Sequence, residues 1–121
     1  MIKRDIEKGD IWLVNLSPSR RGELGKNSRP CIVIQTNEAN KILPCVVVVP
    51  LSSKKQKTEL EIKITPDAVN NLKKESYVVW WHIYTIDKSN LKERIGSISD
   101  EILTELSCNI IDTLGFSEML E

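Results

Sequence analysis

The sequence predicts a mainly β fold with helices (α+β), in which a small sheet is followed by one C-terminal helix. Short apolar segments separated by turn residues recur between residues 11 and 98, which is typical of strands. Ile102, Leu106 and Ile110 then recur at four-residue spacing, which indicates an amphipathic helix. The chain has 121 residues, of which 40% are hydrophobic and 28% charged. We therefore expect a single domain over residues 1–121.

Three strands are predicted in the first half of the chain. Residues 11–16 are apolar almost throughout and do not alternate, which predicts a strand that is buried on both faces or bent within a barrel. Residues 36–41 are polar and predict a turn. The other two strands are the apolar runs at residues 29–35 and 44–51.

A long loop and a proline are expected to shape the region around these strands. Residues 17–28 have no strand or helix pattern, and Gly22 and Gly25 allow hinge-like backbone conformations, so this loop is a candidate flap over a site. Pro50 lacks an amide donor, which predicts a strand edge or a bulge just before Ser52. We therefore expect the Ser52 hydroxyl to be released from regular strand pairing.

The second half of the chain mixes short strands with short helical segments. Residues 58–64 alternate apolar with charged side chains, which predicts a half-buried strand with Leu60 on its buried face. The Thr-Pro-Asp sequence at residues 65–67 is typical of a helix start, and this helix would end near residues 73–74. Further elements are predicted as strands at 76–81 and 94–98 and a single capped helical turn at 85–91.

The last helix has clear signals at both ends. Ser99 precedes the apolar stripe and is expected to cap the first turn, because its hydroxyl can accept from a free backbone amide. Gly115 is expected to end the helix, and the stripe from Ile102 to Leu114 should pack on the sheet.

Charge is distributed unevenly although the chain has 17 basic and 17 acidic residues. Six acids and no Lys or Arg lie in residues 99–121, so residues 1–98 carry an excess of six positive charges. Basic clusters bind phosphates by releasing counterions, although solvated charges that maintain solubility would look the same. The two clusters are Arg20, Arg21, Lys26 and Arg29 in and after the long loop, and Lys54, Lys55 and Lys57 after Ser52.

Several classes of protein are disfavoured by the composition. Residues 1–8 are too charged for a signal-peptide core and the longest apolar stretch, 42–51, is too short to cross a bilayer, so we expect a cytoplasmic protein. Cys31, Cys45 and Cys108 form no CxxC pair and His82 is the only histidine, which argues against a zinc site or a disulfide framework. Neither a metal nor another cofactor is expected.

The residues at two strand ends indicate the chemistry. Arg29 begins one apolar strand and Ser52 follows another. A guanidinium is a permanent cation in a planar fork that matches a phosphate, and a hydroxyl can hydrogen-bond to the same group. This pair therefore predicts chemistry on a phosphodiester, although Arg29 could instead tether the loop and Ser52 could be an ordinary turn residue.

Taken together, the motifs resemble those of the MazF/PemK family of toxin ribonucleases. The resemblance covers almost the whole chain and is strongest where several motifs follow one another in order. These motifs are Gly9-Asp10-Ile11-Trp12, Leu16-Ser17-Pro18, Gly22-Glu23-Leu24-Gly25, Arg29-Pro30, Val49-Pro50-Leu51-Ser52-Ser53 and Thr85-Ile86-Asp87-Lys88.

The resemblance implies a fold, an activity and partners. The fold is an SH3-like small β-barrel of the CcdB/MazF type with a C-terminal helix, assembled as a homodimer. The activity is metal-independent cleavage of single-stranded RNA (mRNA) at short sequences, by attack of the 2′-OH, and a cognate MazE-like antitoxin blocks it. Arg29 matches the catalytic arginine, Ser52 stands where a threonine is usual, and Glu23 matches an acidic position linked to activity or is a solvated loop carboxylate.

If the chain is a ribonuclease of this kind, other residues are candidates for RNA binding. Arg20, Arg21 and Lys26 lie in the loop, and Ser53, Lys54 and Lys55 follow Ser52. Trp81 and His82 replace an acid and an amide that are usual in the family. The exposed one of Trp80 and Trp81 could stack on a base or pack in a dimer, and His82 could act in acid-base chemistry or be structural.

Two other functional classes stay open. A toxin of the same barrel type that resembles the CcdB gyrase poisons would not need Arg29 and Ser52. An RNA-binding or regulatory barrel without catalysis would bind RNA in a salt-dependent manner and leave it uncut.

Overall fold

A curled antiparallel sheet of seven strands carries the fold over the residues that the computed structural model describes, 5–16 and 28–120. Two α-helices and two 3₁₀ turns, at Lys88–Asn90 and Ser117–Leu120, accompany it. The helices are α1 (Asn37–Ile42) and α2 (Asp100–Thr113), and the strands are β1 (Asp10–Asn15), β2 (Ser28–Val33), β3 (Cys45–Ser52), β4 (Ile62–Ile64), β5 (Ser76–Val78), β6 (Tyr84–Asp87) and β7 (Leu91–Ser97).

The central strand β3 changes partner along its length, which makes the sheet curl. The strands follow the order β4-β5-β3-β2-β1-β7, and β6 pairs with the first half of β3. Residues 45–48 of β3 pair with β6, whereas Leu51 and Ser52 pair with β5. Strands predicted at residues 11–16, 29–35, 44–51 and 94–98 are confirmed, with ends that differ by up to three residues.

Strands β1 and β3 are buried on both faces, as the continuous apolarity of β1 predicted. In β1, Ile11 lies in one core cluster, whereas Trp12 and Val14 lie in the other. The same alternation divides β3, because Val46 and Val48 join the second cluster. Such two-sided burial requires apolar residues at consecutive positions instead of every second one.

Helix α2 covers the first cluster and begins at the predicted cap. The Ser99 hydroxyl accepts from the Ile102 amide at 3.2 Å, and Gly115 ends the helix with a φ of +77°. Leu106 is fully buried, but Leu114 is 54% exposed, so the packed stripe ends one turn earlier than predicted. No helix in the described ranges is long and apolar enough to span a membrane.

The polar turn predicted at residues 36–41 is wrong, because these residues form helix α1. Thr36 caps it by accepting from the Ala39 amide at 3.3 Å. The helix is anchored by buried Asn40, whose side chain exchanges hydrogen bonds with the Gln35 side chain and carbonyl. The anchor is thus an amide and not an apolar stripe, so hydrophobic periodicity gave no signal for it.

The strand predicted at residues 58–64 is wrong for its first half. Only Ile62–Ile64 pairs, and Leu60 is 55% exposed instead of lying on a buried face. The residues before β4 form turns, and the Trp80 indole donates to the Leu60 carbonyl at 3.1 Å. Here a tertiary hydrogen bond overrides the local alternation.

The helix predicted from residue 65 is also wrong, since this segment consists of turns. The Asp67 carboxylate accepts from the amides of Val69 at 2.8 Å and Asn70 at 2.7 Å, and Asn71 has a φ of +54°. Asp and Asn side chains that bond to nearby amides compete with helix formation in this way.

Two further boundaries differ from the predicted ones, the second because β3 pairs with residues of the predicted helical turn. The strand predicted at 76–81 ends at Val78. Within the predicted helical turn at 85–91, only Lys88–Asn90 is helical, whereas Thr85 and Ile86 lie in β6 and pair with β3. Long-range pairing of this kind leaves little trace in a short segment.

Candidate active site

A cleft of about 710 Å³ opens where β1, β2, β3 and β7 meet the segment of residues 71–76. Two of its lining residues, Arg29 and Ser52, are those predicted as functional from their positions at the ends of apolar strands. Its lining residues are Leu13, Arg29, Pro30, Leu51, Ser52, Ser53, Lys54, Asn71, Leu72, Lys73, Lys74, Ser76, Glu93 and Ile95. The structure therefore brings Arg29, Ser52, Ser53 and Lys54 together, as expected.

Arg29 is held beside the end of β3. In the β2–β3 register Cys31 pairs with Pro50, so the same register continued by two residues places Arg29 opposite Ser52. The Arg29 Nη2 donates to the Leu51 carbonyl at 3.1 Å, one residue before Ser52. One hydrogen bond occupies one of five guanidinium donors, so the others can meet a ligand in the cleft.

Ser52 is not released from strand pairing, contrary to expectation, because it pairs with Tyr77 of β5. Pro50 falls between the stretch of β3 that pairs with β6 and the stretch that pairs with β5, so its missing amide marks the change of partner. The Ser52 hydroxyl accepts from the Lys54 amide at 3.1 Å. Its proton can still be donated to a ligand oxygen.

The cleft is rich in cations, and two of them were not singled out in the sequence. Arg29 comes from β2, Lys54 follows β3, and Lys73 and Lys74 come from the segment that follows Asn71. Glu93 is the one acid among the lining residues. The dilysine at 73–74 could have been noted as a basic pair, but nothing local connects it to Arg29.

Three predicted RNA-binding residues lie outside this cleft. Lys55 is 4.0 Å from a Glu61 carboxylate oxygen. Trp80 is buried and Trp81 is 38% exposed, so one tryptophan is in the core and the other at the surface, as expected. The ring of exposed His82 packs edge-on between those of Trp81 and Tyr84. The roles of Lys55, Trp81 and His82 stay predictions.

Of the loop predicted at residues 17–28, residues 17–27 lie outside the described residues, and Ser28 is the first residue of β2. The flap and the roles of its side chains therefore stay predictions; the residues concerned are Arg20, Arg21, Glu23 and Lys26.

The cysteines are free, and Cys31 behaves as a core residue. Burial raises the pKa of the Cys31 thiol to about 12, although nearby Arg29 acts in the opposite direction. A thiol that stays protonated is a poor nucleophile, so Cys31 is structural. Within residues 5–16 and 28–120 there is no group of three or more His, Cys, Asp and Glu side chains that could hold a metal ion.

Comparison with known families decides the classification. The family model for PemK-like, MazF-like toxins of type II toxin-antitoxin systems matches residues 7–114. The chain belongs to this family. The predicted resemblance is thus confirmed. A relative from Staphylococcus saprophyticus, "Endoribonuclease MazF", is 31% identical over 111 residues, which cover 91% of this chain and 92% of that protein.

Solved structures share the fold of this toxin-family chain. The crystal structure of MazF from Deinococcus radiodurans superimposes with a TM-score of 0.75 at 19% identity, over 93% of this chain and 99% of that one. An endoribonuclease in complex with its cognate antitoxin from a mycobacterial species gives 0.72 at 18% identity, over 93% and 96%. The predicted MazF-type fold with a C-terminal helix is confirmed as a curled antiparallel sheet that carries α2.

Proposed function

We propose that this chain is a toxin endoribonuclease that cuts single-stranded RNA at short sequences without a metal ion. The observation that carries the proposal is the cleft in which Arg29, anchored on the Leu51 carbonyl, lies beside Ser52 among three lysines. Membership of the PemK-like, MazF-like toxins supports it, as does the name of the relative from Staphylococcus saprophyticus.

Apart from a proton acceptor and a proton donor, the reaction needs only groups that RNA and the cleft supply. The 2′-oxygen forms a bond to the adjacent phosphorus as its proton leaves, and the bond from phosphorus to the 5′-oxygen breaks as that oxygen takes up a proton. The products are a 2′,3′-cyclic phosphate, which can open to a 3′-phosphate, and a 5′-hydroxyl. Arg29 stabilises the charge on the phosphorane oxygens, and the Ser52 hydroxyl hydrogen-bonds to the same group.

The proton donor and acceptor are not assigned to any described residue. Arg29 and Ser52 are both poor bases at neutral pH. Glu23, in the loop outside the described ranges, is our candidate for a carboxylate that acts at the reacting phosphate.

We propose that regulation and assembly follow the family pattern. The mycobacterial relative of known structure was solved with its cognate antitoxin, and a MazE–MazF complex from Deinococcus radiodurans has a TM-score of 0.75 at 16% identity. We expect an antitoxin segment to block the cleft, two copies of the chain to form a homodimer, and the complex to lie in the cytoplasm. The family match over residues 7–114 supports one toxin domain.

The decisive experiment is incubation of the purified protein with a long, weakly structured RNA in EDTA, followed by mapping of the cut ends. The comparison uses Arg29→Ala and, as a control with the same charge change, Arg94→Ala, because Arg94 does not line the cleft. Cuts at a recurring short sequence that leave a cyclic or 3′-phosphate and a 5′-hydroxyl, and that vanish only in Arg29→Ala, support the proposal.

Other outcomes would overturn it in distinct ways. Binding without cutting by the wild-type protein would favour a regulatory RNA-binding barrel. Neither binding nor cutting, together with inhibition of gyrase by the wild-type and Arg29→Ala proteins alike, would favour the gyrase-poison class. Cutting that EDTA abolishes would exclude the metal-independent mechanism.

A further inference from the structure

We propose that Lys73 and Lys74 form a second phosphate site, which binds a phosphate of the RNA next to the scissile one. This inference rests on the proposed function and extends it to residues that no sequence motif assigned. Both side chains are exposed at the wall of the cleft that holds Arg29 and Ser52.

The two lysines are electrostatically available to a ligand. Ion pairs between described lysines and acids join Lys55 to Glu61 and Lys63 to Glu75. Within the described ranges, Lys73 and Lys74 have no such partner. The neighbouring acid, Glu75, lies 3.3 Å from the Lys63 ammonium, so its charge is already opposed by another cation.

The backbone before the lysines is fixed by a buried amide. Asn70 is 3% exposed, and its Oδ1 accepts from the amides of Asp67 and Leu72, each at 3.0 Å. Its Nδ2 donates to the Thr65 carbonyl at 2.9 Å. The Leu72 side chain packs against the first core cluster, so the chain enters the lysine pair from an anchored position.

Further hydrogen bonds hold the same segment against β7 and at its C-terminal end. The Asn71 Nδ2 donates to the Ile95 carbonyl of β7 at 3.0 Å, and the buried Ser76 hydroxyl donates to the Lys74 carbonyl at 3.1 Å. Gly96 leaves room for this approach of the two segments, since a Cβ there would lie 2.5 Å from the carbonyl oxygens of Val69 and Asn70. Because the backbone that carries the two lysines is already ordered, less conformational entropy is lost when they bind a ligand.

Apolar residues in the lining complete a nucleotide-sized site. Leu13, Leu51 and Ile95 line the cleft together with the cationic residues. A nucleotide presents an apolar base face and anionic phosphates, so it fits a cleft whose lining combines apolar and cationic side chains. The volume of about 710 Å³ lies within the range of ligand-binding sites.

The test measures how RNA affinity depends on salt. The probe is a short, fully 2′-O-methylated single-stranded RNA, which lacks the attacking 2′-OH and stays intact whether or not the protein is a nuclease. Lys73→Ala/Lys74→Ala should make the slope of log K against log salt less steep by about 0.7 for each phosphate that the variant no longer neutralises. Lys73→Arg/Lys74→Arg should keep the wild-type slope, because a guanidinium also binds phosphate.

A matched double variant controls for net charge. Lys8→Ala/Lys41→Ala removes two exposed charges that do not line the cleft and should keep the wild-type slope. Equal slopes for Lys73→Ala/Lys74→Ala and the wild type, in proteins with the same circular dichroism, would overturn the inference. If the wild type still cleaved unmodified RNA, the proposed function would stand. Conversely, a lysine-dependent slope without any cleavage of unmodified RNA would support the site and sink the nuclease proposal.

Discussion

Replacing Arg29 by Ala should separate catalysis from folding, because its side chain makes a small structural contact and has a large chemical task in the proposed mechanism. The structural contact is one hydrogen bond to the Leu51 carbonyl at 3.1 Å. One such bond contributes about 1 kcal/mol, and water in the open cleft can replace it. We therefore expect a fall in melting temperature of only about 3–5 °C.

The chemical loss should be much larger. Removing one preorganised donor from a developing oxyanion costs about 2.7–4 kcal/mol, or a factor of about 10²–10³ in kcat. Arg29→Lys should lie between Ala and the wild type, since it keeps the charge but loses the fork. The assay is single-turnover cleavage of an RNA that spans the mapped cut, with thermal unfolding measured on the same preparations.

The control variant should show the opposite pattern. Arg94 Nε donates to the Asp10 carboxylate at 3.2 Å, and Asp10 is buried, so Arg94→Ala should cost about 1–3 kcal/mol of stability. Its cleavage rate below the melting transition should match the wild type because Arg94 does not line the cleft. Cleavage by Arg29→Ala within about tenfold of the wild-type rate would refute the assignment of Arg29.

Three further predictions follow from other parts of the structure. Gly96→Ala should lower the free energy of unfolding by about 1–3 kcal/mol in urea melts, because the new Cβ would overlap the Asn70 carbonyl, and an unchanged midpoint would contradict this. Ser52→Ala should lower kcat by about 10- to 100-fold, the equivalent of one hydrogen bond to a charged group, whereas Ser52→Thr should keep the activity; single-turnover rates decide, and wild-type activity in Ser52→Ala would exclude a role for the hydroxyl. Because burial raises the pKa of the Cys31 thiol to about 12, above the roughly 8.5 of an exposed thiol, the unfolded chain binds fewer protons at alkaline pH and stability should fall from about pH 8.5 toward pH 12. Cys31→Ala should flatten this loss between urea melts at neutral and alkaline pH, and an equally steep loss would count against the burial argument.

Local sequence patterns were sufficient to predict the elements in which buried residues recur at a regular spacing. The two-sided burial of β1 and the capped start of α2 at Ser99 were predicted correctly. Hydrophobic periodicity and cap chemistry act over a few neighbouring residues, so one chain segment contains the whole signal. The presence of Arg29 and Ser52 in one cleft was likewise predicted from the sequence, because each residue stands at the end of an apolar run.

Elements that depend on hydrogen bonds from polar side chains could not be predicted in this way. Helix α1 is anchored by the buried amide of Asn40, and the segment after Thr65 is a set of turns because Asp67 and Asn70 capture nearby backbone amides. Asn40 and Asn70 are polar and look like surface residues until the fold buries them. The energy of a buried hydrogen bond depends on what surrounds it, and a local window does not include the surroundings.

The sequence by itself determined strands β1, β2, β3 and β7, the last helix, the family and the pair of residues at the proposed reacting phosphate. Only the tertiary structure decided that Lys73 and Lys74 face the same cleft as Arg29. More than 40 residues of chain separate them from Arg29, and the hydrogen bonds of Asn70 and Asn71 bring them together. The physical reason is that charges act through space, whereas motifs are read along the chain.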